Sequence, residues 1–581
     1  MKAHVKMLPL LLALAMVLGM LSACGSSAAS ETASAATSEA AEAASTEEAA
    51  SEEAAPAEEA APAEEAAPAE EASAAEEYAA ATAERPAPEL PLTTDDVSVS
   101  VWIGVNPNAY NYMPDGMDSN ETYEELNTRT GIDFDWVACT PDNETESFML
   151  SIASNDYYDV YVNGSSHYTG GADAAAADEV FLDIADMIDE YCPNMVTLLA
   201  DESCAKAAYT ENGVLIGAPQ FYNKERPGSS GLLVRDSWQQ EFGRDLTTIA
   251  DWEEFLTYTS ETYGGQLILG SDGFANNTLI SAYGAKGEIA NVMGLTMPFY
   301  VVDGEVKFGV LEQGYYDYLS LVSDWYAKGL IYNDILTVTN IREPDLDLIV
   351  NDGIAIFMTD QWNISVYDGD MEGKDTWTPI PDPVLNEGDT LHFADEASLI
   401  NTIFWNISTT CEVPELVLQM FDYMYSDEGS LLMNYGVEGL TYDMGDDGLP
   451  HFSSFVSDAE ISMDFMIYCH VSTNAPYVLD VERSWESYTE KECAASRDIW
   501  NSNADDAYTL PSAISLTTEE GEEYSAIAND VATVVSEWAL GVIMGEKSLD
   551  EYDTICQQIK DLGIERCIEI YQGAYDRYLA R

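Results

Sequence analysis

Side chains able to break bonds or hold a metal are sparse in this chain and poorly spaced for either task. The five histidines, His4, His167, His392, His451 and His470, form no HExxH pair, which excludes zinc hydrolysis of that type. They leave little material for histidine-based acid–base chemistry. No GxxxxGK[ST] phosphate loop and no GxSxG elbow occurs. Asp443, Asp447 and Gly448 faintly follow a calcium loop, but Gly445 stands at its third position and Ser454 at its twelfth, where carboxylates are required. A turn at Asp446-Asp447-Gly448 accounts for them better, so neither a metal nor a cofactor is expected. Two carboxylates suffice for glycoside hydrolysis, and 105 acidic residues are available, yet no pair stands out by position. Eight cysteines follow Cys24: Cys139, Cys192, Cys204, Cys411, Cys469, Cys493, Cys556 and Cys567. None makes a CxxC pair. Cys192 with Cys204, or Cys556 with Cys567, would bridge in an oxidising exterior, or all eight stay buried thiols; no adjacent base marks a nucleophile.

The elements that position these groups begin with an export signal. Lys2 and Lys6 precede an apolar run over 8–21, about 14 residues against the ~20 that span a bilayer as a helix. The run ends in Leu21-Ser22-Ala23-Cys24, which resembles the lipobox of bacterial lipoproteins. That resemblance implies cleavage before Cys24, diacylation of its thiol, and stable attachment through two or more acyl chains. No later segment reads as apolar enough to cross a membrane. From Gly25 to about Leu92 the composition collapses to Ala, Glu, Ser and Pro, with three consecutive copies of Ala-Ala-Pro-Ala-Glu-Glu between Ala54 and Glu71. Its 16 glutamates up to Glu84 face no Lys or Arg, and there is almost nothing large and apolar to bury. The segment reads as a disordered tether.

The 581 residues carry a net charge of −83, and about −69 remains on 85–581 once those glutamates, Lys2 and Lys6 are set aside. Such a body repels nucleic acid, so no nucleic-acid partner is expected. With 46% hydrophobic and 10% aromatic residues it nevertheless has ample material for packed cores. Strands and helices alternate past the tether, the pattern of an α/β protein. The spacing predicts a strand over 97–105, a helix over 121–130 stopped by Gly131, strands over 132–137 and 159–162, and a helix around 147–154 between them. Thr248 and Asp251 have capping-box spacing. Tyr315, Leu319, Val322, Tyr326 and Leu330 form one buried helical stripe. Trp136, Trp252, Trp325 and Trp538 fall within regular elements and read as core.

Several stretches, in order along the globular part, carry a family resemblance. They are Glu124-Glu125-Leu126-Asn127-Thr128-Arg129-Thr130-Gly131-Ile132, Met149-Leu150-Ser151-Ile152-Ala153-Ser154-Asn155-Asp156 followed by Asp159-Val160, and Phe181-Leu182-Asp183-Ile184 with Tyr191-Cys192-Pro193-Asn194. Gly231-Leu232-Leu233-Val234-Arg235-Asp236-Ser237-Trp238 with Asp251-Trp252 continues the series. Two more specific runs are Tyr423 to Gly439 and Gly545 to Arg577. Behind a lipobox and a tether, the sequence resembles an extracellular solute-binding lipoprotein of an ABC importer, in the group associated with oligosaccharides.

The resemblance implies an α/β, two-lobe, type II periplasmic-binding-protein-like fold with hinge-linked lobes and a C-terminal helical segment. The expected organisation is a signal peptide over 1–23, lipidated Cys24 and tether over 24–92, lobe 1 over 93–222, lobe 2 over 223–375, a return of lobe 1 over 376–426, and over 427–581 a return of lobe 2 with C-terminal helices. The crossing is expected near 217–226, where Pro219, Pro227, Gly228 and Gly231 break the pattern, and a return near 376–383. The implied role is capture of a neutral oligosaccharide at the outer face of the cytoplasmic membrane, for a permease partner and without catalysis. A peptide or polyamine receptor of the same fold and a surface glycoside hydrolase are the alternatives. Sugars require flat aromatic faces and planar amides or carboxylates on loops at strand ends. After the first strand come Asn106, Asn108, Tyr110, Asn111 and Tyr112, and after the third Asn163. The crossing holds Gln220, Tyr222 and Asn223. Asp360, Gln361, Trp362 and Asn363 follow the strand at 353–358, and Trp405 beside Phe404 and Asn406, with Glu438, completes the expected ligand-binding set.

Overall fold

Val97–Gly104 (β1) opens the first sheet, and Val99, Val101, Trp102 and Ile103 are buried in it. The computed structural model describes residues 85–581 apart from 108, 110–111, 114, 227, 229, 269–276, 288–297, 335–337, 339–345, 351–352, 395–397, 460, 462, 473 and 484–493. Cys24 and most of the expected tether therefore lie outside the described residues.

Helix α1 (Glu121–Thr130) starts where the Asn120 side chain accepts from the Thr122 and Tyr123 amides, and it ends at Gly131 in the left-handed region (φ 78). A side chain at 131 would also meet the Thr93 carbonyl. Strand β2 (Ile132–Cys139), helix α2 (Glu144–Ser154) and strand β3 (Val160–Val162) follow, so the early elements match the sequence reading. Helices α3 (Gly171–Ala177) and α4 (Glu202–Ala208) lead to β4 (Ala218–Arg226). The second sheet is built from β5 (Ser230–Arg235), helix α5 (Ile249–Tyr263), β6 (Gln266–Leu267), the hairpin β7 (Phe299–Val302) and β8 (Glu305–Phe308) beside it, helix α6 (Gln313–Lys328), β9 (Ile354–Asp360), helix α7 (Ile364–Asp370) and β10 (Trp377–Ile380). Thr248 and Asp251 close the expected capping box on α5. Tyr315, Leu319 and Val322 are buried along α6 as expected.

The chain returns to the first sheet through β11 (Ser398–Ile407), helices α8 (Pro414–Tyr425) and α9 (Asp427–Tyr435), the hairpin β12 (Tyr442–Met444) and β13 (Pro450–Phe452), helix α10 (Met463–His470) and β14 (Val478–Leu479). It closes on the second with α11 (Ala494–Trp500), α12 (Thr518–Ile543), α13 (Tyr552–Leu562) and α14 (Ile564–Ala580). The first sheet has the order β14-β4-β11-β3-β1-β2 and the second β10-β5-β9-β6. Each sheet anchors its own apolar clusters, and none of these clusters mixes residues of the two lobes.

Strand membership moves the expected boundaries. β10 pairs antiparallel with β5 at the edge of the second sheet, so 377–380 do not belong to a return of lobe 1. Pro379 interrupts the pattern in sequence but is tolerated on an edge strand. Residues 427–479 belong to lobe 1, not lobe 2, because Leu432 and Met433 of α9 enter its core and β14 pairs with β4. The expected tether also ends earlier than 92. Leu90 and Leu92 pack against the lobe 1 core, the Arg85 guanidinium lies 3.5 Å from Asp427, and the Leu92 amide donates to the Thr130 carbonyl. Finally, α12 is long and apolar enough to cross a membrane by composition, contrary to the sequence reading. Half of that stretch is buried, with Val531, Val535, Trp538 and Val542 in the second-lobe core.

Candidate ligand site at the crossing

Register shows where the two sheets present their carboxyl ends. Val162, the last residue of β3, lies opposite Trp405 of β11, which in turn lies opposite Ala218, the first residue of β4. β4 and β11 thus run on past the carboxyl edge of β1 and β3, pairing as Gln220 with Asn401 and Arg226 with Ser398. The chain then passes from Arg226 to Ser230, which faces Asp360 at the carboxyl end of β9. The carboxyl end of β9 therefore borders the crossing, while that of β3 lies level with the start of β4, the strand that leads to it; loops at such ends are where open α/β sheets hold ligands.

The lobe 1 wall is aromatic and polar. The Asn106 backbone N–H donates to the Tyr468 hydroxyl at 2.9 Å, and Tyr468 stacks with Phe465 at 6.1 Å and 19°. Tyr112, 43% exposed, meets Phe465 edge-on at 5.6 Å. Asn120, buried at the foot of this wall, donates to the Cys469 and Val471 carbonyls and so pins α10 beside the loop after β1. Asn163 sits in the left-handed region (φ 60) directly after β3, and its side-chain amide has no hydrogen-bond partner among the described residues. Asn108, Tyr110 and Asn111 lie outside the described residues. Phe465 and Tyr468 escaped the sequence reading; their signal is two aromatics three apart on one helix, which face the same way.

At the crossing itself, Gln220 is buried and accepts from Asn401 at 3.5 Å, while Tyr222 is half-buried beside the lobe 1 core. Asn223 is exposed, but its amide is already engaged: it donates to Asp480 at 3.1 Å and accepts from the Val481 amide at 3.2 Å. Asp480 also accepts from the Tyr435 hydroxyl at 2.8 Å. With the Lys224–Glu482 ion pair, these bonds tie the chain leaving β14 to β4. Asn223 is thus a tie of the crossing in this structure.

On lobe 2, Asp360 is 8% exposed and accepts from the Ser230 hydroxyl. Gln361 is fully buried and accepts from Arg497 of α11. Asn363 is half-buried with a long bond to the Thr359 hydroxyl, 3.4 Å. The Trp362 side chain lies outside the described residues. Gly231, next to the crossing, is required by packing, since a Cβ there would stand 2.3 Å from the Trp500 indole.

Two expected residues sit apart from this group. Trp405 is 0% exposed, donates to the Asn474 carbonyl at 2.8 Å, and is ringed by Tyr123, Phe134, Trp136 and Phe421. β11 is a central strand whose last four residues are all buried, so its indole belongs to the core and not to a ligand. Its neighbour Asn406 is likewise buried and bonded to Ser165 and the Ile216 carbonyl. Glu438 is exposed on the turn before the β12–β13 hairpin and touches none of the other expected residues among those described. The tip of that hairpin, where Gly448 donates to the Gly445 carbonyl, is the turn expected at 446–448.

Cys139, Cys192, Cys204, Cys411, Cys469, Cys556 and Cys567 are free, so neither expected bridge forms. Burial pushes every one of these thiols up, those of Cys139, Cys204, Cys411, Cys469 and Cys567 to about 11, which keeps them protonated. Among the described residues no group of three His, Cys, Asp or Glu side chains is placed to hold a metal.

No family model and no curated protein sequence matches this chain. Solved structures match its fold. An "HMO binding ABC-transporter associated Solute Binding Protein" from Bifidobacterium longum infantis superposes with a TM-score of 0.67 at 16% identity, covering 83% of this chain and 99% of that one. The alginate-binding protein AlgQ2 gives 0.65 at 19% identity, covering 84% and 99%. The S. pneumoniae ABC-transporter substrate binding protein FusA, as an EF-hand mutant with fructo-nystose, gives 0.65 at 15% identity, covering 83% and 99%. The chain has the two-lobe α/β fold of solute-binding proteins, with a C-terminal helical segment.

Proposed function

We propose that this protein captures a neutral oligosaccharide between its lobes and delivers it, chemically unchanged, to an ABC permease, while diacylated Cys24 holds it at the outer face of the membrane. The observation that carries this reading is the chemistry found on the segments that follow strand ends in the two lobes: in lobe 1 the aromatic wall Tyr112, Phe465 and Tyr468 and the side-chain amide of Asn163, and in lobe 2 Asp360 and Asn363, next to the crossing at Ser230. Rings cover the apolar faces of pyranoses, and amides and carboxylates take up hydroxyls that would be costly to bury alone. Support also comes from the fold neighbours, whose names describe binding of alginate, HMO and fructo-nystose. The negative charge of the body favours a neutral ligand over an anionic one.

A thermal-shift panel of neutral glycans, peptides and polyamines tests the reading. A matching glycan at 100 times its dissociation constant adds ~2.7 kcal/mol of stability, and peptides and polyamines add none. Stabilisation by a peptide or polyamine alone replaces the ligand class, and release of reducing sugar from the bound glycan replaces binding by hydrolysis.

A further inference from the structure

The lobes have separate apolar clusters, and polar side chains bridge them where the segment before β4 meets α14. Glu211 of lobe 1, its side chain only 10% exposed, accepts from Arg577 of α14 and lies 3.7 Å from Arg581. Arg577 also donates to both carboxylate oxygens of Glu520, at 2.9 and 2.6 Å, and Glu520 caps α12 through Thr517. Arg581 donates to the Lys206 and Tyr209 carbonyls of lobe 1, both at 3.1 Å, and to Ala513 of lobe 2 at 3.2 Å. Both sides are held firmly. Thr210 and Asn212 bond Asp173 of α3, while Ile564 and Cys567 of α14 enter the second-lobe core.

We infer that Glu211, Arg577 and Arg581 form an ionic latch that holds the two lobes together. Charges, unlike an apolar core, part into water at modest cost, so a joint of this kind can release. Without the Glu211 charge, Arg577 keeps only Glu520 of its own lobe as a carboxylate partner among the described residues and Arg581 only backbone carbonyls, so the charge link between the lobes is lost. The latch joins the lobes through side chains at 206–211 and 577–581, outside the strands that carry the chain from one lobe to the other. The inference holds whatever the ligand.

Full-length protein is compared with Glu211→Gln by hydrogen exchange and small-angle scattering, without ligand. Exchange over 209–217 and in the last turn of α14 should quicken about tenfold, α5 should exchange as in the parent, and the scattering curve should change. High salt should move the unmodified protein the same way. Arg577→Gln provides an independent second variant, and Glu211→Asp should restore most of the parent behaviour. Identical exchange and scattering in variant and parent overturn the latch. Equal acceleration in α5 also overturns it, since that reports general destabilisation.

Discussion

Trp405→Ala should destabilise the first lobe by about 3–5 kcal/mol, the range for deleting a fully buried tryptophan. The indole is 0% exposed, is packed by Tyr123, Phe134, Trp136 and Phe421, and satisfies the Asn474 carbonyl. Its removal leaves a cavity beneath four aromatic rings and an orphaned acceptor, and neither the central strand β11 nor its neighbours β3 and β4 can collapse to fill it. Denaturant unfolding checks this through a lower midpoint at an unchanged slope. A loss below about 1 kcal/mol together with lost ligand binding would return Trp405 to the site.

The second large effect is a pH dependence centred on Asp422. Burial raises its carboxyl to about 6, although the Asn194 amide and side chain donate to it and work against that rise. A raised carboxyl binds its proton more tightly in the folded state than in the unfolded one. Its contribution is therefore fully present below the unfolded value near 3.8 and is lost as pH climbs through about 6. From about pH 7 down to about pH 4 this residue alone should add up to ~3 kcal/mol. Asp251, Asp375 and Glu520 have depressed values and pull the other way, but only once pH falls towards their unfolded values near 4. Asp422→Asn keeps one of the two acceptor oxygens that face Asn194, removes the buried charge, and should flatten stability over that window. Unfolding curves at several pH values decide it; equal slopes in parent and variant would refute the assignment.

What the sequence made legible was local. The Gly131 stop of α1, the Thr248–Asp251 cap of α5 and the stripe along α6 each depend on residues within a few positions of one another. Sheet membership does not: β4 pairs with β11 about 180 residues later, and β14 with β4 across more than 250. That is why 377–380 and 427–479 fell to the wrong lobes. The site was legible to the same extent. Asn106 and Asn163 stand within two residues of a strand end and Asp360 closes β9, so their positions at the carboxyl edges could be read. Phe465 and Tyr468 reach the wall only because Asn120 holds α10 there, a contact spanning about 350 residues. Trp405 failed for a different reason: alternation assigns a face in a half-buried strand, and β11 ends buried on both.

The most direct test of the account is a crystal structure of the full chain with the glycan that gives the largest thermal shift. The account predicts density for an intact glycan between Tyr112, Tyr468 and Asn163 on one side and Asp360 and Asn363 on the other. A glycan bound elsewhere, or one shortened in the crystal, would contradict it.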